Sequence, residues 1–340
     1  MRHPSLRQPF TKSFKSFRPQ IHLALLLLAL LMSTACKNRT DTSDMTPEQI
    51  LNILDIKIEK DSKNADLYYD RAKIYMEMGR VNEAISDLNH AVMLKNDKKE
   101  YYLMLGDAHF ANGNVEKSYD ALQKALNLDP DNLDTYLKLG EIAFYSRDYD
   151  RAIDHLTHVT EQDQNNRTAL FLKSFIYKEK GDTISAIKLL NKVCDLYPDY
   201  SPAFEELGIL YSIHHSPLAE DYLNTAVRLD PTNTNALYAL AMYYQETEKI
   251  DQAEATYKHI LEINENDKYA WHNRGYIQLF VYGDYELAID YFNHAIACDT
   301  TFAEAYVNRA CAYELLNDKK RAEDDFSTAN RLNPNYQRTK

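Results

Sequence analysis

The chain repeats itself at a fixed spacing of 34 residues, and few folds can accommodate that. With Ala84 set at position 20 of a unit, the first unit starts at Ala65. Seven more start at Lys99, Leu133, Arg167, Ser201, Thr234, Lys268 and Ala303, the last closing at residue 336. The Ser201 unit is one residue short and the Lys268 unit one long, and the register puts both changes in the mid-unit turn, where length is tolerated. Position 8 reads Ala72, Gly106, Gly140, Ser174, Gly208, Ala241, Gly275 and Ala310, and position 20 is Ala or Ser throughout. Position 4 is always bulky, and so is position 24, which runs Leu88, Leu122, Leu156, Leu190, Leu223, Tyr257, Phe292 and Phe326. Small residues let two helices cross closely while large ones fill the space that remains. Each unit is therefore expected to be a helix, a turn and a second helix. Pro130, Pro198, Pro231 and Pro334 are expected to stop the second helix of their units.

The stretches "FEELGILY" (204–211) and "WHNRGYIQ" (271–278) carry most of a W-x₂-L-G-x₂-Y pattern. Through them the chain resembles the tetratricopeptide repeat over residues 65–336. His109, Ala143 and Gln278 depart from the usual Tyr at position 11. The resemblance implies an all-α fold, a right-handed superhelical solenoid of about eight helix–turn–helix repeats. It also implies a concave wall built from the first helices, with positions 5, 9 and 12 facing the groove. There the chain has Tyr69, Phe110, Phe144, Phe171, Phe175, Tyr238, Met242 and Tyr276 as candidate partner-binding residues. Packing against neighbouring helices is the competing role for such side chains. Asn273 and Asn308 hold position 6, where the family often uses asparagine to grip a peptide backbone. A clamp for a terminal carboxylate is not expected, since only Lys73 matches one.

Flanking segments fit the same scheme. "TPEQILNILDIKIEKD" (46–61) spaces Ile50, Leu51, Leu54 and Ile58 as one helical face. It is expected to be a packing helix over residues 47–62 that shields the first unit like a lone second helix. Position 28, apolar in most units, becomes Asn330 in the last, as expected of a unit with no neighbour beyond it. On this reading the array is complete and leaves no room for another domain.

The N-terminus reads as an address. Arg2, Arg7, Lys12, Lys15 and Arg18 precede the apolar run "IHLALLLLALLM" (21–32), too short to span a bilayer, which takes about 20 residues. "STAC" follows, and it resembles the lipobox of bacterial lipoproteins, with Ser33 in place of the usual Leu. The expectation is a signal peptide at 1–35, a lipidated Cys36, and a tether at 36–46. Ordinary cleavage after Ala35 is the alternative. The expected location is a bacterial cell envelope, lipid-anchored and facing the periplasm or the surface.

Composition narrows the function. Residues 36–340 hold 34 Lys and Arg against 51 Asp and Glu, a balance unsuited to nucleic acid. Only 8 glycines occur, which disfavours phosphate-cradling loops, and no phosphate-loop, nucleophile-elbow or metalloprotease motif is present. No cofactor or metal is expected. His155 and His158 at i, i+3 are ordinary surface histidines on this reading, and Cys194, Cys298 and Cys311 form no disulfide framework. The expected role is a non-enzymatic scaffold that binds apolar protein segments with basic flanks to assist assembly of an envelope complex. The alternatives are a glycan- or small-molecule-binding solenoid, an adaptor for cell-wall hydrolases, and an enzyme, for which the repeats leave no spare residues.

Overall fold

The computed structural model describes residues 45–334, all helix and connecting turn. The signal segment, Cys36, most of the tether and the tail at 337–340 lie outside them. Helix α1 (Pro47–Lys60) comes first, followed by eight helix pairs. These are α2 (Ala65–Glu77) with α3 (Val81–Leu94), α4 (Lys99–Ala111) with α5 (Val115–Leu128), and α6 (Leu133–Tyr145) with α7 (Tyr149–Gln162). Next are α8 (Arg167–Glu179) with α9 (Thr183–Leu196), and α10 (Ser201–Ile213) with α11 (Leu218–Leu229). The last are α12 (Thr234–Glu246) with α13 (Ile250–Ile263), α14 (Lys268–Ile277) with α15 (Tyr285–Cys298), and α16 (Ala303–Leu315) with α17 (Lys319–Leu332). Every first helix begins on the first residue of its unit. Side-chain caps fix many of these starts: Asn132 accepts from the Thr135 amide at 2.8 Å and Asp267 from the Ala270 amide at 2.8 Å. The second helices of the four proline-marked units end two residues before the proline.

Two compact bodies divide the chain, one up to Ile176 and one from Tyr177 onward. In the first, α1 lays Leu51 and Leu54 against Ile74. Further along, Ala72, Ala84, Leu88, Leu105 and Ala108 pack as one cluster, and Leu156 and Val159 meet Ala169, Leu172 and Ile176 in another. In the second body, Ala288 and Phe292 pack with Leu279, Cys311 and Ala312. The position-24 side chains Leu88, Leu122, Leu156 and Phe292 are completely buried, each contributing about 1.5–3 kcal/mol of apolar burial.

The close approach at position 8 is directed at position 24. A Cβ built on Gly140 would lie 2.8 Å from Cγ of Leu156, and one on Gly208 would lie 2.5 Å from Cγ of Leu223. Each mid-unit turn passes through one left-handed residue. Four are glycines (Gly79, Gly113, Gly181, Gly283), but Arg147, His215, Glu248 and Asn317 hold φ between 53° and 61° without a glycine's freedom.

The two length changes resolve differently from the sequence expectation. The extra residue of the Lys268 unit is not in the turn. It widens the end of the first helix into a π-helical turn, Gln278–Tyr282, so that Gly283 still reaches the left-handed corner at φ 71°. An i→i+5 turn absorbs one residue without moving the second helix off its partner. It leaves Phe280, Val281 and Tyr282 exposed. The missing residue of the Ser201 unit shortens α11 to 12 residues, starting after Pro217.

Arginine clamps recur. Arg71 donates from Nε and Nη2 to Asp87 at 2.7 Å and from Nη1 to Asp55 of α1 at 2.7 Å. Arg309 makes the same fork on Asp325 at 2.7 Å and reaches Asn293 of the preceding unit at 2.6 Å. Asp55 and Asn293 hold equivalent positions, so α1 stands to the first unit as α15 stands to the last. Among the described residues no helix is long and apolar enough to cross a membrane.

Candidate partner-binding wall

The first helices of each body present aromatic and charged side chains in register. In the first body Tyr69 is half-buried, with its ring 5.0 Å from that of Tyr101 and the Lys73 ammonium 4.2 Å above it. Burial and nearby acids, Glu100 foremost, push its hydroxyl up to about 12. Phe110 and Phe144 are also half-buried, and both contact the ring of Tyr145, at 5.4 and 5.6 Å. Beside them Lys138 donates to both oxygens of Asp107, at 2.7 and 2.9 Å. Burial raises Asp107 against the pull of Lys138. Glu141, one turn before Tyr145, is pushed up to about 7 by burial, despite Lys138 and with help from Asp107.

Phe171 and Phe175 depart from the expectation. They form an edge-on ring pair at 4.9 Å and each is only 6% exposed, so they are packing residues and not surface for a ligand. A carboxylate placed at either would be buried without compensation.

In the second body the same correction applies to Met242, 1% exposed, whose Sδ accepts from the Tyr257 hydroxyl at 3.2 Å. Asn273 is 4% exposed and donates to the Tyr238 hydroxyl at 3.0 Å, so its amide is already committed inside the protein. Asn308 lies 2.8 Å from Nε2 of His272, which burial lowers to about 4. Tyr238 and Tyr276 remain half-buried, the latter stacked on Phe280 at 4.5 Å. Glu205, pushed up to about 7 by burial and by Glu206, accepts from Asn233 at 2.8 Å. Lys178 pairs with Glu206 at 2.5 Å. Each body thus carries a desolvated carboxylate on its first-helix side.

Sequence reasoning missed Asp107, Lys138, Glu141 and Glu205. The signal was present, since Asp107 and Glu141 hold position 9, already assigned to the wall. The search there was for aromatic residues and a cationic clamp, and the acids passed unnoticed.

Other polar clusters are structural. His158 stacks on Tyr136 with ring centroids 3.8 Å apart, and His155 lies 6.0 Å from the same ring. Among the described residues no group of three His, Cys, Asp or Glu side chains is placed to hold a metal ion. Cys194, Cys298 and Cys311 are free thiols, and burial pushes Cys194 up to about 12.

Comparison with known proteins agrees with the repeat. Residues 95–204 match the model of the cytochrome c-type biogenesis protein H TPR domain. Two tetratricopeptide-repeat models match residues 218–273 and residues 65–98 and 303–336. Among curated proteins the chain is similar to an N-terminal acetyltransferase A complex subunit-like protein of Schizosaccharomyces pombe, 27% identical over 136 residues. It is also similar to anaphase-promoting complex subunit 3 of the same organism, 28% identical over 143 residues. Each alignment covers 40% of this chain and only about a fifth of the relative's length (19% and 21%). Of solved structures, a tetratricopeptide repeat protein from Parabacteroides merdae matches with TM-score 0.54 and 19% identity, covering 69% of this chain and 93% of that one. The C-terminal part of a TPR repeat-containing protein from Cytophaga hutchinsonii gives TM-score 0.53 at 17% identity, covering 66% and 93%. At such identities the likeness speaks to fold alone. Together with the helix pairs and their small-against-large register, these matches establish that the chain is built of tetratricopeptide repeats.

Proposed function

We propose that this protein is a non-enzymatic scaffold of a bacterial cell envelope, anchored by lipid on Cys36, that captures segments of partner proteins along its first-helix wall. The observation that carries the binding role is the setting of Phe110 and Phe144. Both are half-exposed aromatic side chains on successive first helices, beside a carboxylate, Glu141, that burial has pushed up to about 7. Apolar surface next to an undersolvated negative charge suits an apolar segment with basic flanks. The matched model named for cytochrome c-type biogenesis and the relatives named as subunits of complexes support a role in assembly. The anchor rests on the basic and apolar leader ending in "STAC".

Crosslinking in the native envelope, followed by mass spectrometry, tests the scaffold. Recovery of defined partner proteins, lost on Phe110→Ser with Phe144→Ser, is the expected result. Recovery of glycan alone would reject it. For the anchor, Cys36→Ser is expected to release the protein from membranes, and continued fractionation with lipid would reject lipidation.

A further inference from the structure

The first body contains one polar group set that its own fold leaves unfinished. Asp107 and Lys138 satisfy each other through two contacts, at 2.7 and 2.9 Å. Glu141 lies on the next turn of the same helix as Lys138 and makes no hydrogen bond among the described residues, so it is the uncommitted charge. The set of three carries one net negative charge. Four residues on, the Tyr145 hydroxyl is shut off from water and has no hydrogen-bond partner. The same ring is contacted by Phe110 at 5.4 Å and by Phe144 at 5.6 Å. A hydroxyl without water and a carboxylate without a donor, set among three aromatic rings, are what a protein shows where its partner group arrives from outside.

We infer that Glu141, Tyr145 and Phe110 form a receptor for one cationic side chain, a lysine or arginine carried between apolar residues on an extended protein segment. Its N–H groups donate to the Glu141 carboxylate and the Tyr145 oxygen. Its methylene stem lies along the rings of Phe110 and Tyr145. A single cation neutralises the set, so a segment with one central base is favoured over a polybasic one. An acidic segment is excluded by Glu141 and Asp107 together. The burial that raises Glu141 also strengthens any ion pair it forms. This inference rests on the wall being a protein-binding surface, and it assigns the chemistry of that surface.

Random 12-residue peptides displayed on phage are selected on the full chain. The winning peptides are then measured by fluorescence anisotropy alongside versions with each Lys or Arg replaced by norleucine. Winners are expected to share one base between apolar residues, and norleucine at that site is expected to weaken binding at least tenfold. Glu141→Gln should weaken the parent peptide by a similar factor and leave the norleucine peptide unchanged. Glu141→Lys should shift selection toward peptides with a central acid. Because the Glu141 carboxyl bonds to nothing in the fold, Glu141→Gln is expected to keep its helical circular dichroism and its melting transition. Winners without a base would overturn the inference, as would a preference for Lys or Arg that survives Glu141→Gln; either result leaves the wall as a binding surface. If the parent chain selects no peptide at all, both readings fail together.

Discussion

Gly275 lies so close to Phe292 that a methyl group on its Cα would sit 2.6 Å from Cε1 of the ring. Both atoms belong to packed helices, and the contacting part of Phe292 is rigid and fully buried. Gly275→Ala therefore forces the hairpin apart or the ring off its rotamer. The expected cost is about 1–3 kcal/mol, read as a lowered urea midpoint. Ala72 packs in one cluster with Leu88 in the first unit, so the close approach belongs to particular pairs and not to the position as such.

Left-handed corners offer the opposite effect. Arg147 and Glu248 each hold φ at 61°, where a side chain costs roughly 1–2 kcal/mol. Arg147→Gly and Glu248→Gly should each stabilise the protein by about 0.5–1 kcal/mol, the relief being partly cancelled by glycine's entropy when unfolded. Gly113→Ala, at φ 76°, should do the reverse. Denaturant melts of the three variants check the sign in each case.

Two groups give stability opposite pH dependences. Burial lowers His272 to about 4 from an ordinary 6.5, so the unfolded chain binds the extra proton between those values. Stability from this residue is complete above about 6.5 and falls as pH drops toward 4; His272→Gln should flatten that slope. Glu141 is raised to about 7 from an ordinary 4.5, so the folded chain holds the extra proton there. Its contribution is complete below about 4.5 and is lost as pH rises through 7. Glu141→Gln should thus match the parent at pH 4 and exceed it at pH 8 by about 1–3 kcal/mol, measured as the gap between melts at the two pH values.

Asp325 and Asp87 are buried carboxylates, each gripped by an arginine fork. Arg309→Met leaves Asp325 unpaired and should cost about 3–5 kcal/mol, whereas Arg309→Met with Asp325→Leu should recover most of that loss. A double-mutant cycle on thermal unfolding reports the coupling.

Much of this fold is legible in the sequence because packing distance acts through residue size. A small residue at position 8 and a large one at position 24 can be read without coordinates, and the first helices begin on the residues that this register assigns. Burial on the wall is less legible. Phe171 and Phe110 are the same residue type at positions given the same role, yet one is core and the other half-exposed. That difference depends on which side chains stand opposite, which a one-dimensional period does not carry. The π-helical turn at Gln278–Tyr282 is hidden for a similar reason. A count shows one residue too many, but only hydrogen bonding decides whether helix or turn takes it up. Glu141 was in plain view at position 9, and its interest lies in the bond it lacks.

Asp55 of α1 gives Arg71 the kind of oxygen that Asn293 gives Arg309. The chain thus enters its first repeat in the guise of a second helix, on the flank opposite the wall. A leash fixed anywhere upstream of Thr46 would then hold the molecule by its back, with Phe110, Phe144 and Glu141 left facing whatever arrives.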